Sequence, residues 1–439
     1  MTQSVNDHTN EVREGGRIYA LASRIFPLFR SITGEGVRQT LAVLNESLAD
    51  CGVQFAITEV PTGTKVFDWT VPKEWRIREA YIADEKGHHV IDIKEHNLHV
   101  LGYATSVDCI VPLKELRQYV YTQEDQPDVI PYVTSYYKER FGFCMSQNQL
   151  DALPEGDYRM VIDSELFDGS MTIADLVLPG DSDEEILITS YTCHPSMANN
   201  ECSGPALLTE LVRYVCSMEK RRYTYRFVLN PETIGAITYL STHRAHLQSH
   251  VKAGVVLSCV GDDRAYSIIH TKYADTFTDR TLAAVLADRP GVHAYSFLDR
   301  GSDERQYNAP GIDLPVVAFC RTRHGVYPEY HTSADNLDLV SPRGFQGAFD
   351  VMKEWIDGLE HNAYYRTTVL CEPQLGKRGL YPTESKKNSY GGVKTMMALI
   401  AYADGKNDLF DISRLVHAPV RALLPIVEEL CAHGLMERL

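Results

Sequence analysis

YTCHPSMANNECSGP, residues 191–205, is the stretch on which the reading of this chain turns. Before it runs EEILITSYT, residues 184–192, a short apolar and β-branched segment of strand length. After it runs ALLTELVRYVCSMEK, residues 206–220, with apolar residues at helical spacing. A polar knot therefore sits between a strand and the helix that follows it. In open parallel sheets, ligands gather outside the carboxyl ends of strands, so this knot is the first candidate for a site.

Working outward, the alternation continues. YRFVLN (225–230), AGVVLSCVG (253–261) and LPVVAFC (314–320) read as further strands; residues 275–289 and 345–360 read as helices. Alternating β and α segments predict an α/β fold with a mostly parallel sheet covered by helices on both faces. Upstream, residues 11–50 carry two helical patterns broken at SITGEG, with Thr33 or Gly34 as the cap of the second. Between about 56 and 160 the pattern changes to short alternating segments such as REAYIAD and YRMVID, separated by Gly, Asp and Pro, which predicts a small inserted β-rich domain. The expected division is an α/β domain from 1–55 and 161–370, an insert at 56–160, and a winged-helix domain at 371–439. The last opens with a linker, residues 371–392, followed by three helical segments.

The bulk numbers exclude several roles. The chain has 439 residues, with 59 Asp or Glu against 43 Lys or Arg, a formal net charge of −16. Such a surplus of acids argues against non-specific binding to nucleic acid or an anionic membrane. There is no apolar core of a signal peptide and no long apolar run, so no membrane association is expected. Ten Cys without a CxxC pair read as reduced thiols, which predicts a cytoplasmic protein. The C-terminal segment 372–439 holds nine Lys or Arg and eight Asp or Glu, and its would-be recognition helix VRALLPIVEELCAH carries one Arg against Glu428 and Glu429. Reading DNA needs surplus basic and polar side chains, so this module is expected to pack against its own chain or a partner and not to bind DNA. A homo-oligomer is left open.

Chemistry-bearing residues collect at the predicted carboxyl ends of strands: His194 in the knot, Glu232 just past the next strand, and His331 after LPVVAFC, with GSDERQYNAPG (301–311) preceding that strand. Two His and several carboxylates at one sheet edge form a donor set that suits zinc. Blander readings exist for each. Glu232 could simply favour a helix's first turn, Asn199 and Asn200 could be turn formers, and Asp303, Glu304 and Arg305 could be surface ion pairs. Cys193 could be a nucleophile or a packed thiol; alternation along a strand would point it away from His194.

The phrases FPLFRSITGEGVRQTL, VFDWTVPKEW, IPYVTSYYKERFGFC, TCHPSMANNECSGP, NPETIGAITYL, GSDERQY and PEYHTSADNLD resemble a bacterial aminopeptidase-like family of the zinc aminopeptidase and glutaminyl cyclase clan. Members carry an inserted β-rich domain and a C-terminal winged helix, and occur among polysaccharide and natural-product biosynthesis genes. The resemblance implies that His194 and His331 are metal ligands and that Glu232 is the general base. Asn200 stands where the clan has a bridging Asp, Thr233 where it has a second Glu, and Ser258 where it has another Asp. One zinc held by His194, Glu201 and His331 is therefore expected, in place of two. Asn200, Asp303, Arg305 and Tyr330 are the expected substrate contacts. The implied activity is hydrolysis of an amide bond in a small peptide or aminoacylated metabolite. Alternatives are a cyclase-like acyl transfer on one zinc and a non-catalytic ligand-binding or regulatory protein on a peptidase scaffold.

Overall fold

The structure is a computed structural model and describes residues 13–136, 138–380 and 391–439. Residues 381–390 of the expected linker, and residues 1–12, lie outside the described residues. The fold is aminopeptidase-like: an eight-stranded sheet in the order Ala56–Pro61, Ser170–Leu178, Thr224–Asn230, Glu185–Tyr191, Val251–Leu257, Val316–Cys320, Tyr266–Ile269, Val292–Tyr295. Its central four strands, Thr224–Asn230 through Val316–Cys320, run parallel. Antiparallel strands flank them on either side. All seven residues of Glu185–Tyr191 are buried, as expected of a central parallel strand covered on both faces. Ser203–Cys216 and Ile234–His250 are the helices that follow the first two parallel strands.

The sheet's edge corrects one expected boundary. Ala56–Pro61, placed by sequence in the insert, pairs antiparallel with Ser170–Leu178 and extends the main sheet. Val66, Val71 and Trp75 share one apolar cluster with Leu187, Tyr191 and Val256 of that sheet. The insert proper is a four-stranded antiparallel sheet of His89–Asp92, Glu74–Ala83, Asp157–Phe167 and Val107–Pro112, with a cluster of its own around Ile82, Leu101, Phe143 and Met160.

The second helix, Glu35–Ser47, starts at Gly34 with φ 102° and no side-chain cap. A Cβ there would meet the Trp75 carbonyl oxygen at 2.4 Å, which requires glycine. Thr33 does not cap; its hydroxyl accepts the Trp75 N–H at 3.0 Å and so ties the helix start to the insert.

The chain divides into two compact units, 1–272 with 293–349, and 273–292 with 350–439. The second holds a winged helix: helices Gly391–Tyr402, Leu409–Val416 and Val420–Ala432 with a three-stranded sheet of Asp404–Asp408, Tyr364–Thr367 and Met436–Arg438. Its sheet begins at Tyr364, upstream of the expected start at 371. The helix Phe277–Leu286 belongs to the same unit, where Arg280 pairs with Asp408. Arg421, the one Arg of the would-be recognition helix, pairs with Asp288 and Glu354. Among the described residues no helix is long and apolar enough to cross a membrane.

Candidate active site

The central strand ends at Tyr191, and the chain then turns through residues 192–203, every one of them buried. A fully buried polar turn needs a partner for each backbone group. Asp335 supplies three: its carboxylate accepts the N–H of Asn199 at 2.6 Å and of Asn200 at 3.0 Å, and its own carbonyl accepts Ala198 N–H at 2.9 Å. Asn199 closes the other side, donating to Asp262 and accepting from the N–H groups of Gly261 and Asp262. Arg30, also buried, donates Nε–H to the His194 carbonyl at 3.0 Å and another guanidinium N–H to Cys202 Sγ. At the helix start Gly204 lies against the next strand; a Cβ there would meet Ser190 Oγ at 2.1 Å and the Leu257 carbonyl oxygen at 2.5 Å.

This frame sets His194 between two carboxyl groups. Its Nδ1 lies 2.9 Å from Glu201 Oε2, and its Nε2 lies 3.7 Å from Glu232 Oε2. Cys193 Sγ is 3.2 Å from His194 Nδ1 and accepts the Glu232 N–H at 3.2 Å. The expectation that Cys193 points away from His194 is therefore wrong. The strand stops at Tyr191, and alternation does not extend past its end. Donor atoms of Cys193, His194 and Glu201 all lie within 4.8 Å of one another. His331 lies with its ring centroid 5.5 Å from that of His194.

Burial dominates the electrostatics. It holds both imidazoles neutral, with His194 lowered to about 3 and His331 lowered to about 3. It raises the Glu201 carboxyl to about 8, an effect that nearby Arg30 partly offsets. Glu232 is also raised well above the ordinary carboxylate range, by burial and then by the charge of Asp303, with Arg305 opposing. Two neutral imidazoles are ready ligands, and a bound dication would favour the charged form of a buried carboxyl. Glu201 Oε1 and His331 Nε2 are buried without a hydrogen-bond partner among the described residues. Cys193, His194 and Glu201 thus fit a metal ion, with Glu201 Oε1 left for it to satisfy, whereas His331 stands beside this donor cluster and not within it.

The remaining expected residues have mixed fates. Tyr330 stacks on His331, with centroids 3.8 Å apart. Asn200 donates to the Tyr191 hydroxyl at 3.1 Å, while its Oδ1 is buried and lacks a partner among the described residues. Asp303, expected to grip substrate, has both oxygens occupied, accepting Asn230 Nδ2–H at 3.0 Å and Thr233 N–H at 2.7 Å. Arg305 donates to Thr233 Oγ1 at 2.7 Å and to the Ser302 carbonyl at 2.8 Å. Both thus fix the turn after Glu232, where Thr233 has a left-handed φ of 65°. Thr233 and Ser258, at positions where the clan has carboxylates, are hydrogen-bonded within the fold, Ser258 to Tyr191.

Three contributors escaped sequence reasoning, Arg30, Asp335 and Tyr132, while Cys193 was weighed only as a nucleophile or a packed thiol. Tyr132 comes from the insert; its ring centroid lies 5.2 Å from His194 and 5.1 Å from His331. Arg30, Tyr132 and Asp335 each lie within a phrase that marks the family resemblance, FPLFRSITGEG, IPYVTSYY and HTSADNLD. That was the available signal, but nothing local tells a brace from a surface residue.

Comparison with known proteins gives the chain's family. Residues 19–362 match a family described as a domain of unknown function, DUF4910, and residues 363–438 match a winged helix-turn-helix family. The chain belongs to the DUF4910 family. A Clostridium acetobutylicum protein, provisionally described as a polysaccharide biosynthesis protein with an aminopeptidase-like domain, is 44% identical over 92% of both chains. A crystal structure of a provisionally assigned peptidase from the same organism superimposes with a TM-score of 0.90, at 40% identity over the whole of both chains. BSAP, a zinc aminopeptidase from Bacillus subtilis, shares the fold at 11% identity and a TM-score of 0.57, over 78% of this chain and 94% of its own.

Proposed function

We propose that this DUF4910 protein is a zinc-dependent hydrolase of aminopeptidase type, acting on an amide bond in a small peptide or aminoacylated metabolite. The observation that carries the reading is His194 held between Glu201 and Glu232, with Glu232 3.7 Å from the imidazole edge turned away from Glu201. His194, Glu201 and His331 would hold one zinc ion, and Cys193 is a fourth donor within reach of the first two. Zinc in such a site supplies Lewis acidity toward the amide carbonyl and the attacking water.

The chain's own residues do the rest. Glu232, raised toward neutrality by burial and Asp303, is suited to take a proton from the attacking water and return it to the leaving amine. Asp303 and Arg305 hold its turn in place. Asn200 Oδ1, without a partner among the described residues, is placed to accept a hydrogen bond from a substrate N–H. Tyr330 lines the approach to His331. The C. acetobutylicum relative's description supports placing the substrate in polysaccharide or natural-product biosynthesis. With Arg421 paired, the winged helix is left without a free Arg for phosphate on its third helix, in keeping with a role in packing instead of DNA binding.

Glu232→Gln tests the reading. Turnover of aminoacyl nitroanilides should fall on the order of 10²- to 10⁴-fold with fold and zinc content intact. Zinc should bind at about one per chain, the occupancy of a single site with three protein ligands and one open position. A second reading rests on Arg30. Its buried guanidinium lies 3.8 Å from Glu201 and can itself balance that charge, as in a ligand-binding protein without metal. Absence of zinc after reconstitution with excess metal would favour it.

A further inference from the structure

Tyr132 is not part of the α/β domain, yet it touches both histidines of the site. Its segment is tied to the His331 turn by main-chain bonds. Tyr132 N–H donates to the His331 carbonyl at 2.9 Å, and Ser333 N–H donates to the Ile130 carbonyl at 2.9 Å. Pro131 and Thr332 form an antiparallel bridge between these bonds. The phenol is anchored too, 2.7 Å from the Tyr136 hydroxyl. Tyr136 packs edge-on against Tyr103, with centroids 6.1 Å apart, and Tyr103 belongs to the main apolar cluster. The ring is therefore braced from behind.

Centroid separations of 5.2 and 5.1 Å are those of aromatic rings in contact, so no chain passes between Tyr132 and either imidazole. Cys193 Sγ and Glu201 Oε2 lie on the Nδ1 side of His194. Glu232 stands off Nε2, and about a fifth of its side chain is open, 21%. A leaving amine must come to Glu232 to collect its proton. The acyl part then lies over the two imidazoles, which the Tyr132 ring covers.

We propose that Tyr132, carried by the insert, is the specificity-determining residue of this site, and that it limits the substrate to an amide with a single small residue on its acyl side. The proposal rests on the hydrolase reading above. The insert then has a definite role, since it closes the acyl side and makes an exopeptidase-like pocket out of an open sheet edge.

The test compares wild type, Tyr132→Phe and Tyr132→Ala in two measurements. The first is turnover of alanine p-nitroanilide against alanyl-alanine p-nitroanilide. Wild type and Tyr132→Phe should prefer the shorter substrate by about 100-fold, and Tyr132→Ala should narrow that to less than about tenfold. The second is independent of turnover: the rate at which diethyl pyrocarbonate modifies His194 and His331, read by mass spectrometry of their peptides. It should rise several-fold in Tyr132→Ala and stay at the wild-type rate in Tyr132→Phe. If no variant cleaves any nitroanilide, the hydrolase reading fails, while histidine modification still judges the roof. Unchanged selectivity, or unchanged histidine reactivity, in Tyr132→Ala overturns the proposal. Tyr132→Leu, which keeps apolar bulk without the ring's reach, carries the same two measurements should the alanine variant not fold.

Discussion

The two histidines of the site are held in opposite ways. His194 sits in the turn 192–203, where every residue is buried and the backbone is satisfied by fixed side chains, Asp335, Asn199 and Arg30. His331 sits in the segment 328–333, mostly part-exposed, in a left-handed conformation with φ 57°. Its main chain leans on residues 130–132 of the insert, some 200 positions away. One histidine is positioned by a packed turn at a strand end. The other is positioned by a partner segment that the α/β domain does not contain. A donor placed by its own strand end is rigid at a cost in buried polar groups. A donor placed by an insert can be re-aimed by changing the insert.

The largest expected effect breaks the first arrangement. Asp335→Ala removes the acceptor of two buried N–H groups and of the Tyr327 hydroxyl at 2.9 Å. Leaving three buried donors unpaired should destabilise by about 4 kcal/mol, since each such loss costs roughly 1–3 kcal/mol. Urea denaturation measures it. A loss below about 1 kcal/mol would mean that the turn is not held by Asp335.

Next comes Gly204→Ala. The added methyl meets a backbone carbonyl and a buried hydroxyl, both fixed in the sheet. Overpacking of this kind should cost about 3 kcal/mol. The same substitution at Gly325, with open space around it but φ 70°, should cost less. Equal losses would show that backbone strain, not the close approach to the strand, governs position 204.

The third effect is a pH dependence of the metal-free protein. Burial raises Glu201 from an ordinary 4.5 to about 8. A carboxyl raised in the folded state contributes stability that is full below 4.5 and is lost as pH rises through about 8. His194 and His331 are lowered from 6.5 to about 3, so their contribution is present above 6.5 and is lost as pH falls toward 3. Between pH 6.5 and 8 the histidines are neutral in the folded state, and losing their remaining protons in the unfolded state can only raise stability, so a falling stability in that window belongs to carboxyls. Glu201→Gln should remove about 2 kcal/mol of that fall, from 1.5 pKa units at 1.36 kcal/mol each. Identical slopes in chelator-treated wild type and variant would show that Arg30 holds Glu201 ionised.

This contrast also explains what was legible in the sequence. The strand 184–192, the helix after it and the polar knot between them are local, and periodicity with turn chemistry points to all three. His194, Glu232 and His331 could be gathered because parallel strands share a carboxyl edge. Cys193 was misread because a period of two was carried past Tyr191, where the strand ends. Ala56–Pro61 was assigned to the insert because an edge strand, largely exposed, shows no core pattern. Asp335, Arg30 and Tyr132 reach the site through partners 135, 164 and 199 residues away in the chain. No spacing rule reaches that far.

The smallest expected effect falls on the second arrangement and decides whether the two turns are separable. Ser333 Oγ accepts the Ile130 N–H at 2.9 Å, beside the main-chain bond from Ser333 to the Ile130 carbonyl. Ser333→Ala deletes the first bond and keeps the second. An isolated hydrogen bond of this kind should contribute about 1 kcal/mol. The site of the loss matters more than its size. Hydrogen exchange should quicken at Ile130, Tyr132 and Ser333, because their pairing loses one of its ties. Amides of Asn199 and Asn200 should keep wild-type protection, because Asp335 and not the insert holds them. Protection lost equally in both places would make the turn at 192–203 and the segment at 328–333 one cooperative unit. The insert would then brace both histidines, and the distinction between a strand-end donor and an insert-held donor would have to be given up.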